Sequence, residues 1–369
     1  MTKKAIVLLV SVLVIAGLVL AGCAPDVAPP PEEEEEEAAP EEEEEEVAPA
    51  APEEEVFEWN TQCIWTLESP SGKLYLEFAD RVEELTGGRL VMKVHAPGAI
   101  VPSLELLDGV GQGMLDAAFS WPGWYAGKDP VFACLGGLPF AFDNDLQLHT
   151  WFQQLGGIDM IRDAYTPFNT YIVGMSYYNI ESMCFGKEVL TADDLQGIKI
   201  RMPGGMLSDI FESFGCSVVL LPGEEVYSAL DKGLIDATDW ATPADNFAYG
   251  FHEIAPYFTW PGFHHLPCNE FMVNQDKWDE LPNDIKAILE AAVIEQGFDR
   301  ATTLGVADFE AVKAMEALGC TALAWDKDEM RKLRNKAIAV WDEWGAKSDA
   351  AHEAIESQKA YMKLLGQID

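Results

Sequence analysis

The sequence predicts a two-lobed α/β protein, with a mostly parallel sheet in each lobe and C-terminal helices spanning both. Three observations carry that expectation. The phrase Gly233-Leu-Ile-Asp-Ala-Thr-Asp-Trp240 reads as a helix-capping glycine, a short buried strand, and an acid and an indole at the strand's end. A weaker copy, Gly113-Met-Leu-Asp-Ala-Ala-Phe-Ser-Trp121, stands earlier in the chain. Around each copy, strand-sized and helix-sized segments alternate at βα lengths. Two similar halves whose strand ends face each other enclose a cleft, the geometry of a binding protein before that of an enzyme.

In order, 62–67 reads as a strand and 73–86 as a helix, with Leu74, Phe78, Val82 and Leu85 at helical spacing and Gly87-Gly88 as its stop. A strand over 90–95 follows, and Pro102-Ser103 opens a helix that ends near Gly113. The first copy of the phrase comes next, trailed by Trp121, Trp124 and Tyr125. An apolar loop over 131–142 leads to helices at 146–155 and 159–164, then to a strand over 171–178 that crosses between the halves. The second half repeats the pattern: strand 198–202, helix 206–214, strand 217–221, helix 224–232, strand 235–238. A short return strand occupies 272–274. After Pro282 the chain is helical, with breaks near Gly319 and Gly345.

A chain of 369 residues is long enough for two cores. Its net charge of −39 repels nucleic acid and anionic lipid, so phosphate-backbone binding is excluded as a function. Any anion held here needs a local cation.

Lys3 and Lys4 precede an apolar run over 5–21 that ends in Leu20-Ala21-Gly22-Cys23. A basic start, a short apolar run and small residues before a cysteine are the marks of an export signal. Leu-Ala-Gly-Cys resembles the lipobox of bacterial lipoproteins, which implies acylation of Cys23 and a membrane tether outside the cytoplasm. Residues 24–56 alternate Ala/Pro with blocks of Glu and bury too little apolar surface to fold. The expected organisation is a signal peptide at 1–22, an anchor and disordered linker at 23–56, and a solute-binding domain at 57–369. Within that domain lobe 1 covers about 57–178, lobe 2 about 179–275 and the C-terminal helices 276–369. The six remaining cysteines are widely spaced in apolar surroundings and read as buried thiols rather than a disulfide framework.

Arg201 is the most informative single residue. It ends the strand Ile198-Lys-Ile-Arg-Met202 in a protein poor in bases, where a guanidinium can grip a carboxylate with paired charge-assisted hydrogen bonds. The alternative from spacing alone is a salt bridge to Glu224. Asp239-Trp240 and Glu270 form a second group: carboxylates beside an anion site require a cation between them, a hard ion such as Na⁺ or Ca²⁺, the alternatives being a strand-end turn former for Asp239 and an exposed edge residue for Glu270. His264-His265 fits no standard zinc spacing. No nucleophile elbow, phosphate loop, dinucleotide fingerprint or His-Glu-x-x-His is present.

Residues from about 57 to 365 resemble the extracytoplasmic substrate-binding proteins of TRAP (tripartite ATP-independent periplasmic) transporters, a periplasmic-binding-protein-like fold. The carrying segments are Trp124-Tyr-Ala-Gly-Lys128, Leu195-Gln-Gly-Ile-Lys-Ile-Arg-Met202, Val226-Tyr-Ser-Ala-Leu-Asp-Lys-Gly233, Ile235-Asp-Ala-Thr-Asp-Trp240 and Met272-Val-Asn274. Pro261-Gly-Phe-His264 followed by Met-Val-Asn is similar to the branch that binds 2-oxo or 2-hydroxy monocarboxylates with a metal ion. The resemblance implies that Arg201 clamps the ligand carboxylate; from residue type, Trp124 and Tyr125, with Trp121, Trp240 and Trp260, are candidate walls of a ligand pocket, the alternative being core packing. The resemblance also implies that Asp239, the carbonyl of Trp240 and Glu270 hold Na⁺ or Ca²⁺. The branch has a glutamine touching ligand and metal about twenty residues before the arginine; that place falls on Ile180 or on Glu181 here, and Glu181 would give three carboxylates and favour Ca²⁺. The expected partners are a small organic acid, the permease subunits of a TRAP transporter and the membrane. Dimerisation is left open. Two other functions stay open at this stage, a metal-dependent extracytoplasmic hydrolase and a receptor that reports to a sensor.

Overall fold

A computed structural model describes residues 55–368; the expected signal peptide at 1–22, Cys23 and nearly all of the 23–56 linker lie outside the described residues. The first lobe begins with β1 (Phe57–Gln62), α1 (Pro70–Leu85), β2 (Leu90–His95), α2 (Leu106–Gly111) and β3 (Ala117–Ser120). It continues through α3 (Phe132–Leu135), α4 (Asp145–Gln154), α5 (Gly157–Tyr165) and β4 (Thr170–Tyr177). The second lobe holds β5 (Ser182–Phe185), β6 (Lys199–Met202), α6 (Gly205–Glu212), β7 (Ser217–Leu220), α7 (Gly223–Asp231), β8 (Ala237–Ala241), α8 (Pro243–Ala248) and β9 (Tyr257–Thr259). The chain then returns through β10 (Cys268–Asn274) and α9 (Gln275–Glu280) to α10 (Asn283–Ala317), β11 (Thr321–Leu323), α11 (Lys327–Gly345) and α12 (Asp349–Leu364).

The two sheets share one plan. Their orders are β2-β1-β3-β10-β4 and β11-β9-β5-β8-β6-β7. In each, three parallel strands of a βα run meet one reversed strand, β10 in the first sheet and β5 in the second. The reversed strand is where the chain arrives from the other lobe. The expected lobe 2 boundary at 275 therefore needs correction: 268–274 lies in the first sheet, paired with β3 and β4, because the return strand fills the edge of β3 left open by the βα run.

The repeated phrase has a local cause. Gly113 and Gly233 both sit at left-handed φ, +73° and +65°, and close the helices before them. Three residues on, Asp116 N–H donates to the Asn60 carbonyl while its carboxylate accepts from Asn60 N–H at 2.7 Å. Asp236 repeats both bonds with Lys199, the carboxylate accepting from Lys199 N–H at 3.1 Å. Gly-x-x-Asp-Ala is thus a clamp that starts β3 and β8 beside their parallel neighbours.

One expected element moves. The strand placed at 62–67 is β1 at Phe57–Gln62, while Cys63, Ile64 and Trp65 are buried in the loop beyond it. The apolarity of Ile64 and Trp65 belongs to a cavity wall and not to a sheet. The described cysteines from Cys63 to Cys320 are free thiols. Helix α10 packs on α1 and β4 of the first lobe and on α8 of the second, so it bridges the lobes as expected.

Candidate functional site

Open parallel sheets bind ligands beyond the carboxyl ends of their strands, and here those ends converge on one cavity. The first lobe contributes Ile64 and Trp65 after β1 and Trp121 and Trp124 after β3; the second contributes Arg201 and Pro203 from β6 and Asp239 and Trp240 from β8. The connections between lobes add Tyr178, Glu181, His265 and Pro267. The space left among them is about 20 Å³, room for roughly one water.

The lobes are held closed by bonds across the cleft. Ser103 Oγ donates to Glu224 Oε1 at 2.9 Å, Thr66 N–H donates to the Tyr249 hydroxyl at 2.9 Å, and Ser71 places its N–H and hydroxyl on the Asp245 carboxylate at 3.1 and 2.5 Å. Glu224 is therefore committed to Ser103, and no salt bridge joins it to Arg201.

Arg201 is 1% exposed. Its Nε donates to the Leu221 carbonyl at 2.8 Å and its Nη1 to the Asp239 carbonyl, while the guanidinium lies 5.0 Å over the Trp240 ring. Two of five N–H donors are thus used, and Nη2 is buried without a partner. Burial lowers the pKa of Arg201, an effect opposed by the nearby carboxylates of Asp239 and Glu181. Trp240 is the extra residue of a β-bulge: Met183 pairs with Asp239 and Ser182 with Ala241, so Trp240 has no opposite number on β5. Its indole covers Gly223, where an added Cβ would meet the ring at 2.2 Å.

Facing Arg201 is a set of carboxylates and imidazoles. Glu181 N–H donates to the His265 carbonyl, which lays the two inter-lobe connections side by side. Glu181 Oε1 accepts from the Tyr178 hydroxyl at 2.9 Å, and Oε2 lies 3.0 Å from His265 Nδ1. Asp239 Oδ1 lies 2.8 Å from His264 Nε2, whereas Asp239 Oδ2 is buried and unpartnered. Ligand atoms of Glu181, Asp239 and His264 all fall within 4.8 Å of one another. Burial pushes the Glu181 carboxyl well above the usual range, with the Asp239 charge adding to it. Burial also raises Asp239, but the charge and hydrogen bond of His264, with His265 and Arg201 behind them, outweigh it and hold that carboxyl below the usual range. Burial lowers His265.

Of the residues expected from sequence, Arg201, Glu181, Asp239, Trp240, Trp121 and Trp124 line the one cavity. Four do not. Glu270 is on β10 in the other sheet, between Ser120 of β3 and Met175 of β4, and its Oε1 accepts from the Tyr165 hydroxyl at 2.8 Å. It is fully buried and outside the carboxylate–imidazole group. Tyr125 is a core residue, its hydroxyl 2.5 Å from Ser120 Oγ and its ring against Phe132 and Tyr165. Ile180 turns away from the cavity, its methyl close to Gly262. Trp260 is likewise outside the cavity lining. Sequence reasoning set aside His264 and His265, because pairing with Asp239 and Glu181 depends on segments far apart in the chain.

The chain matches the family model described as bacterial extracellular solute-binding protein, family 7 (DctP), over residues 62–348. It is 30% identical over 290 residues to the monocarboxylate 2-oxoacid-binding periplasmic protein of a Nostoc species, covering 78% of this chain and 79% of that one. A TRAP periplasmic solute-binding protein from Rhodobacter sphaeroides, solved apo and open, is similar with a TM-score of 0.67 at 30% identity, covering 84% of this chain and 99% of that one. A TRAP solute-binding protein from Bordetella bronchiseptica, solved with copurified calcium and picolinate in its active site, gives a TM-score of 0.79 at 26% identity, covering 85% of this chain and 93% of that one.

Proposed function

This chain belongs to the family 7 bacterial extracellular solute-binding proteins and is a TRAP-transporter receptor, not an enzyme; on that premise we propose that it captures a small 2-oxo or 2-hydroxy monocarboxylate together with a metal ion and delivers it to a membrane permease. The observation that carries the reading is a pair of buried, unpartnered groups lining one cavity, the donor Nη2 of Arg201 and the acceptor Oδ2 of Asp239. Burying such groups without partners is unfavourable by about 1–3 kcal/mol each. A carboxylate on Arg201 and a cation on Asp239 and Glu181 satisfy both.

A carboxylate with a second donor on the neighbouring atom spans the two. One carboxylate oxygen would meet the guanidinium and leave the remaining donors for a cation on Asp239 and Glu181, an arrangement a 2-oxo acid offers. Picolinate, found with calcium in the Bordetella protein, has that same arrangement, with a ring nitrogen in place of the oxo group. Asp239 and Glu181 would hold the ion, with the Trp240 carbonyl the further donor expected from sequence, and calcium or sodium are the ions expected from sequence. The ion supplies positive charge to the α-oxygen; the chain's residues orient the ligand and exclude water, Arg201 gripping the carboxylate while Trp121, Trp124 and Trp65 shut the cavity. Cys23 is the proposed lipid anchor.

Calorimetry of the purified chain against pyruvate, lactate, longer 2-oxo acids, picolinate and dicarboxylates, with and without added metal, tests this. Monocarboxylates with an α-donor bind near micromolar, about −8 kcal/mol, and only with metal. Dicarboxylates bind more weakly, since their second charge meets Glu181 and Asp239. Heat from none of the organic acids, or a preference for dicarboxylates, sinks the reading. Palmitate labelling of the wild type, lost in Cys23→Ala, tests the anchor.

A further inference from the structure

The identity of the ion can be taken further, and this step rests on the receptor reading above. The sequence resemblance implies an all-oxygen shelf of Asp239, Trp240 and Glu270. The fold withdraws Glu270 and substitutes an imidazole, so the donor set is Glu181, Asp239 and His264, all buried, with ligand atoms within 4.8 Å of one another. Asp239 Oδ2 and His264 Nδ1 are buried in the protein without partners. His265 adds a constraint. Its Nε2 lies 3.2 Å from the Gly137 carbonyl, which can only accept, so that nitrogen carries the hydrogen. His265 Nδ1 in turn lies 3.0 Å from Glu181 Oε2, which ties this imidazole to the same group.

We propose that Glu181, Asp239 and His264 form a site for a first-row transition dication, of the class Mn²⁺ to Zn²⁺, in place of Na⁺ or Ca²⁺. Ligand chemistry decides against both hard ions. Ca²⁺ gathers six to eight oxygens, whereas imidazole with carboxylates suits zinc, iron and their neighbours. The acid is accordingly bound as the chelate of such an ion, and the ion is held as firmly as the acid.

The test uses the full chain freed of metal by chelation, with Co²⁺ as the probe. One equivalent of Co²⁺ gives visible d–d bands that shift when pyruvate is added; Zn²⁺ abolishes them, and an excess of about 100-fold Ca²⁺ or Na⁺ does not. His264→Gln weakens Co²⁺ binding by about 10- to 100-fold, while the control His352→Gln, at an exposed position on α12, changes nothing. Should His264→Gln not fold, pulsed EPR on Mn²⁺-loaded wild type reads the same point through imidazole nitrogen coupling. Displacement of Co²⁺ by Ca²⁺ or Na⁺, or no nitrogen coupling, overturns the assignment. Acid binding that runs equally well on Ca²⁺ or without metal leaves the receptor reading standing and removes this one. A nitrogen-ligated Co²⁺ site that no organic acid perturbs does the reverse.

Discussion

Replacing Arg201 with lysine keeps the charge and removes the fork. The guanidinium holds the Leu221 and Asp239 carbonyls while keeping Nη2 for the cavity. A lysine ammonium is one point with three donors and cannot serve three directions from buried β6. Loss of one hydrogen bond to a charged ligand amounts to about 1.5–3 kcal/mol, which is about 10- to 150-fold in Kd. One backbone carbonyl also loses its donor, so the apo fold is destabilised by about 1–3 kcal/mol. Calorimetry with a 2-oxo acid reads the first effect and denaturant unfolding the second, with circular dichroism to establish that the variant is folded. An Arg201→Lys protein that is folded, less stable, and still binds the acid within twofold of wild type refutes the clamp and makes Arg201 purely structural.

Glu270→Gln separates the corrected placement from the expected one: cation and acid affinities stay at wild-type values, where a metal ligand would lose about 10- to 100-fold. The same variant carries a pH signature. Burial raises the Glu270 carboxyl well above the usual range, so its contribution is fully present below the ordinary glutamate value and is lost as pH rises through the raised one; melting curves from pH 5 to 9 fall less steeply for Glu270→Gln. Gly223→Ala puts a methyl 2.2 Å from the Trp240 ring, an overpacking of about 1–3 kcal/mol, and tilts the indole beneath Arg201; acid affinity drops about tenfold or more, and an unchanged Kd would show that the stack is dispensable. Asp245→Asn removes a charged acceptor of Ser71 across the cleft and lowers the closed population, so the acid binds about 5- to 10-fold more weakly and X-ray scattering finds the ligand-bound protein less compact than wild type.

Much of the fold was readable because its signals are local. The glycine cap and the aspartate clamp at Gly113–Asp116 and Gly233–Asp236 are backbone devices written in adjacent residues, and they fixed β3 and β8. The 62–67 run misled because Ile64 and Trp65 are apolar for the sake of the cavity they line. Strand β5 went unread, being four buried residues without alternation. Arg201 and Asp239 were legible as strand-end residues of unusual type. Glu270 was misplaced because the resemblance set it beside Asp239 and Trp240 as a metal ligand, whereas β10 carries it into the other lobe's sheet, against Tyr165. The roles of His264 and His265 needed three segments, near 181, 239 and 264, that only the two crossings between lobes bring together.

A crystal structure of the chain with a bound 2-oxo acid, with anomalous diffraction to locate the ion, addresses the central claim directly. The account predicts the acid's carboxylate on Arg201 Nη2 and an anomalous peak in contact with Asp239 and Glu181, with Glu270 still on Tyr165. An acid seated away from Arg201, or an ion coordinated by Glu270, would contradict it.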